Sequence, residues 1–163
     1  MSAAKFSSSA SGPLARMNEE SSAWQALLQT LREEEQALVD GDADRLVTLY
    51  ATKLSQLQTV SDYGRSRQAE LVGAGHATDR AGMDAWLAQH EQPGLRACWQ
   101  QLCDMEQDAQ ATNQRIGTLI EMRLGATRQA LNVLVHAASG QGGLYDNEGL
   151  AVAARKGKPL TAA

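Results

Sequence analysis

Residues 95–138, LRACWQQLCDMEQDAQATNQRIGTLIEMRLGATRQALNVLVHAA, contain no proline. Their large apolar residues are Leu95, Trp99, Leu102, Met105, Ile116, Ile120, Leu124, Leu131 and Leu134, separated by steps of three, four, seven and eleven. Those steps keep every one of them on a single stripe of an α-helix. At a rise of ~1.5 Å per residue the helix spans roughly 60 Å, so its stripe demands comparably long helical neighbours.

The preceding chain supplies them. Over residues 20–40, Trp24, Leu27, Leu28, Leu31, Leu38 and Val39 recur at helical spacing behind Ser21 or Ser22, either of which can cap an N-terminus. Glu33, Glu34 and Glu35 point away from that stripe, as a solvated face or as a patch for a basic partner. Asp40-Gly41-Asp42 ends this helix and starts the next: Gly41 can take the left-handed conformation and Asp42 can cap, which makes the two helices antiparallel neighbours. The second helix, about 42–72, carries Leu46, Leu49, Tyr50, Leu54, Leu57, Val60, Leu71 and Val72, with the long stems of Lys53 and Arg67 at its seam. Gly73, Gly75 and Gly82 open the connection that follows. A short helix at about 83–91 turns Trp86 and Leu87 inward, and Pro93-Gly94 breaks the chain before the long helix, 95–138.

The fold expected is all-α: an antiparallel helical bundle, or long coiled-coil hairpin, of three main helices plus one short helix. Residues 1–19 are expected as a disordered N-terminal arm and 139–163 as a flexible tail, since neither shows an apolar period that could repay the entropy of ordering. In an antiparallel register Leu71 faces Leu95 to Trp99. Trp99, Leu102 and Met105 then cover residues 61–70, and Leu54, Leu57 and Val60 cover 106–115. The second helix ends short of the third in this register, leaving Leu131, Val133, Leu134 and Val135 overhanging. That apolar surface calls for a partner, which could be another protein or a second copy in a homodimer, unless the first helix, the N-terminal arm or the tail folds back over it.

Composition narrows the function. A net charge of −4 lacks the clustered Lys and Arg of a nucleic-acid surface, and no apolar run is long enough for a membrane span or a signal peptide, so a cytoplasmic protein is expected. The three histidines show no Glu-x-x-His or His-x-x-x-His spacing, and Cys98 and Cys103 fall on different helix faces, so neither a metal centre nor a disulfide is written here. No nucleophile, base and orienting group converge, which points away from an enzyme and from any cofactor. The tail has one apolar island, Leu144-Tyr145, in an otherwise glycine-rich stretch, a pattern that suits a peptide ligand ordering on a partner.

Glu35, Leu38, Gly41-Asp42, Leu46, Leu49, Lys53 and Leu57, followed by Asn113, Leu119-Ile120 and then Leu144-Tyr145-Asp146 with Gly149, resemble in order and spacing the FlgN family of flagellar type III export chaperones. The resemblance runs from about Glu20 to Gly149. It implies a non-enzymatic cytoplasmic chaperone that binds the C-terminal helical segments of the hook-associated, or hook-filament junction, proteins FlgK and FlgL. It also implies delivery to the export gate through FlhA, with Tyr145, flanked by Leu144 and Asp146, as the docking residue. Leu131, Val133, Leu134 and Val135 are then the expected substrate contacts. The alternative on the residues alone is a structural coiled-coil scaffold or adaptor with no role in export.

Overall fold

The computed structural model describes residues 12–141, which form four helices: α1 (Pro13–Asp40), α2 (Ala43–Gly73), α3 (Arg80–Gln89) and α4 (Leu95–Gln141). No strand occurs among the described residues. Residues 1–11, most of the expected N-terminal arm, and residues 142–163, with Leu144, Tyr145 and Asp146, lie outside them. The chain divides into two units at Ile120 and Glu121.

In the first unit, α1 begins at Pro13, earlier than the start near Glu20 read from the sequence, so residues 13–19 are helix and not a disordered arm. Ser21 and Ser22 are therefore interior residues. The extended Gly12 is the N-cap and Pro13 opens the first turn, where its missing N–H would have had no partner anyway. Ser21 is buried with its hydroxyl 3.5 Å from Cys98 Sγ, and Ser22 bonds back to the Asn18 carbonyl at 2.9 Å. What the sequence conceals here is a periodic apolar pair, Leu14 and Met17, set among residues that otherwise resemble a tail.

The α1–α2 turn follows the expected chemistry. Gly41 sits at φ 75°, a conformation costly for a side chain with Cβ, and the Asp42 carboxylate accepts from Arg45 N at 3.0 Å. At α3, Asp79 accepts from Gly82 N at 2.8 Å, and a Cβ on Gly82 would stand 2.0 Å from the Ala77 carbonyl oxygen, so only glycine fits that close crossing. Met83, Trp86 and Leu87 of α3 are buried, as the inward-facing short helix requires.

Side-chain pairs define how the helices run. Arg16 meets Glu70, Glu20 meets Arg67, Glu34 meets Lys53 and Glu33 meets Arg45, so α1 and α2 are antiparallel. Ser21 meets Cys98 and Glu35 meets Arg115, so α1 and the first part of α4 are parallel. The core is built mainly between these two helices. Met17, Leu27, Leu28, Leu31 and Leu38 of α1 pack with Leu95, Cys98, Leu102, Met105, Ala109 and Ile116 of α4, whereas α2 contributes only Val60 and Leu71 as buried residues. The covering of residues 106–115 by Leu54 and Leu57 does not occur. Those side chains are 49% and 42% exposed, because α1, not α2, lies over this part of α4 and fills it with Ala109 and Thr112 beneath.

The second unit begins at Glu121, and its described part is the C-terminal half of α4. Every residue from 121 to 139 is exposed, Leu131 (59%) and Leu134 (66%) included.

Candidate functional site

The acidic triplet of α1 is neither a bare solvated face nor a free patch for a basic partner. Arg45 donates to Glu33 at 3.3 Å, Lys53 Nζ to Glu34 at 2.7 Å, and Arg115 to both oxygens of Glu35 at 2.7 and 3.1 Å. The three carboxylates therefore clip α1 to both of its neighbours. Hydrogen bonds from Gln29 and Arg45 hold Glu33 below the usual carboxylate range, and the Arg115 bonds do the same for Glu35. The more exposed pairs of Glu33 and Glu35 add little stability individually and act chiefly to set register, whereas the Lys53–Glu34 pair is half-buried. On the other side of Arg115 a shallow surface groove runs between α1 and α4, lined by Glu35, Val39, Ala111, Gln114, Arg115 and Leu119.

A second polar junction is buried. Glu20 of α1 is only 3% exposed and has one oxygen 3.2 Å from Arg67 of α2, a charge contact without hydrogen-bond geometry. The Arg67 guanidinium in turn lies 4.7 Å from the centre of the Trp99 ring on α4. Burial raises the Glu20 carboxyl above its ordinary value, Arg67 opposes the shift, and Glu106 adds to it. A carboxyl whose folded value is raised binds its proton more tightly in the folded state, so its contribution to stability falls as pH rises from the unfolded value near 4.5 through the folded one. Glu20→Gln, which is always neutral, removes that dependence. Between pH 7 and pH 5 the wild-type melting temperature is expected to gain on that of Glu20→Gln. The lowered carboxylates Glu33, Glu35 and Asp62 cost stability on acidification, but equally in both proteins. A constant difference across the range would show that Glu20 keeps its ordinary ionisation.

Cys98 and Cys103 are free, and burial pushes the Cys103 thiol up, which suits packing residues and not nucleophiles.

The predicted substrate contacts Leu131, Val133, Leu134 and Val135 all lie on the exposed helix of the second unit. They do not share one face. At ~100° per residue, Leu131, Leu134 and Val135 fall together with Leu124, whereas Val133 is roughly 160° from Leu131 and sits with Met122. Both faces are apolar and exposed, with Met122 at 66% and Leu124 at 51%. The predicted docking island Leu144-Tyr145-Asp146 follows this helix in sequence, outside the described residues.

The four helices, with no strand among the described residues, fit the resemblance noted from sequence, and the family comparison agrees: the sequence model described as FlgN protein matches residues 9–153. The chain belongs to the FlgN family. This is the family of flagellar export chaperones, whose members bind flagellar hook-associated proteins. No curated protein and no solved structure matched the chain. Among the described residues no helix of this FlgN-family protein is long and apolar enough to cross a membrane.

Proposed function

We propose that this protein is a cytoplasmic, non-enzymatic export chaperone for the hook-filament junction proteins FlgK and FlgL, capturing their C-terminal helical segments and delivering them to the export gate through FlhA. The observation that carries the capture step is the C-terminal half of α4, where Leu124, Leu131, Leu134 and Val135 form a helical stripe that nothing among the described residues covers. An amphipathic helix binds such a stripe through anchors spaced three and four residues apart. Val133, on the other face with Met122, adds a second contact line for a cargo segment that wraps the helix.

Delivery is assigned to Leu144, Tyr145 and Asp146. Tyr145 is the only aromatic residue after Trp99, and a tyrosine offers a large apolar face plus a hydroxyl at little rotamer cost, suited to a reversible anchor. Tyr145→Ala is expected to leave helix content, melting and cargo affinity unchanged while abolishing binding to purified FlhA and lowering secretion of the junction proteins. Gate binding that persists in this variant removes the docking role from Tyr145.

A further inference from the structure

The mid-portion of the bundle carries an apolar face that its own core does not use. Val47, Tyr50, Leu54 and Leu57 follow one another at steps of three, four and three along α2, and they are 75%, 63%, 49% and 42% exposed. From Leu46 to Ser61 the only charged residue is Lys53, which is turned inward to Glu34. Four turns of exposed α2 surface are thus neutral.

The opposing wall is α4. Because α1 runs antiparallel to α2 and parallel to the first part of α4, α2 is antiparallel to α4, and counting equal steps from the contact of Arg67 with Trp99 brings Leu57 level with Ala109 and Tyr50 level with Ile116. The ion pairs of α1 give the same register independently, since Glu34 holds Lys53 while its neighbour Glu35 holds Arg115. Trp99 faces α2, and Glu106, Asn113 and Ile120 follow it at seven-residue intervals, hence on the same side of α4. Asn113 and Ile120 are exposed, and a Cβ on Gly117 would meet open space. From Ala109 to Ile120 the only charge is Arg115, which is bound to α1.

We propose that this slot between α2 and α4 receives a second amphipathic helix of the hook-associated cargo, in the position a fourth helix would take in a four-helix bundle. The inference rests on the chaperone function proposed above and adds a site to it. The walls, neutral but for Glu106 at one end, select a helix whose buried face is apolar and whose flanks are largely uncharged, about three to four turns long, because along the rest of the slot a charged flank would lose hydration with no opposite charge to meet it. A second copy of the chain is a poorer occupant: four side chains already partly covered cannot supply the ~800 Å² that each partner of a stable pair ordinarily contributes.

The test is calorimetric titration of the full chain with the purified C-terminal helical segment of the hook-associated protein. Leu54→Lys is expected to weaken binding by about tenfold or more, and Leu54→Gln to a lesser degree. Ser66→Lys, an exposed charge elsewhere on α2, should stay within about twofold of wild type, and all three proteins should melt alike. Unchanged affinity in both Leu54 variants, with Leu131→Ser/Leu134→Ser still defective, overturns the second site and leaves the chaperone function standing. Wild-type protein that does not bind the segment at all overturns the function and the slot with it. A concentration-dependent dimer that Leu54→Lys dissociates, with cargo affinity intact, gives the slot to a second copy and also overturns the proposal.

Discussion

Replacing Leu131 and Leu134 together by serine is expected to weaken cargo binding by roughly 100-fold or more while leaving the melting temperature nearly unchanged. Each leucine that goes from exposed to buried on binding is worth ~1.5 to 3 kcal/mol, so losing two costs on the order of 3 to 6 kcal/mol of affinity. Both are well over half exposed in the free protein, so their truncation removes little buried surface from the fold. Binding titration and thermal melting on the same sample separate the outcomes. A variant that melts much earlier would place those leucines in a folded core, and capture would then have to lie elsewhere.

Leu102→Ala is expected to destabilise the protein by ~2 to 5 kcal/mol, lowering the melting temperature by about 10 °C or more. Leu102 is fully buried, and the chain around it is held on both sides of the core cluster by Cys98 and Met105, which leaves little freedom to collapse into the void. Leu57→Ala should cost less than ~1 kcal/mol, because its side chain is already 42% exposed. From sequence the two leucines look equivalent. Equal losses in denaturant unfolding would show Leu57 buried as deeply as Leu102 and would contradict the bundle described here.

That contrast shows where the sequence was legible. The four helices, their polarity and the α1–α2 turn could be read because each rests on a local signal: apolar period, a glycine at φ 75° and an aspartate cap. Which helix covers which could not, because α1, α2 and α4 all carry an apolar stripe of similar strength and periodicity does not name its partner. The deciding residues are charged. Glu33, Glu34 and Glu35 read as a surface run, yet they bind Arg45, Lys53 and Arg115 from both neighbours. A basic residue near the level of each glutamate was the available signal, and it needs the register to be interpreted. Glu20 reads from sequence only as the first residue of the first helix, because its burial depends on an N-terminal turn that Leu14 and Met17 stabilise. The exposed stripe at Leu131 and Leu134 is legible from the unequal helix lengths in an antiparallel register, whereas the placement of Val133 on the opposite face follows from its two-residue offset.

The central claim, that this FlgN-family protein is a chaperone for hook-associated cargo, is tested most directly by titrating the purified full chain with purified FlgK and FlgL in a calorimeter. Saturable binding of both is expected, lost when their C-terminal helical segments are removed and retained by those segments alone. Absence of measurable binding to either protein, with the chain folded and helical in the same cell, would contradict it.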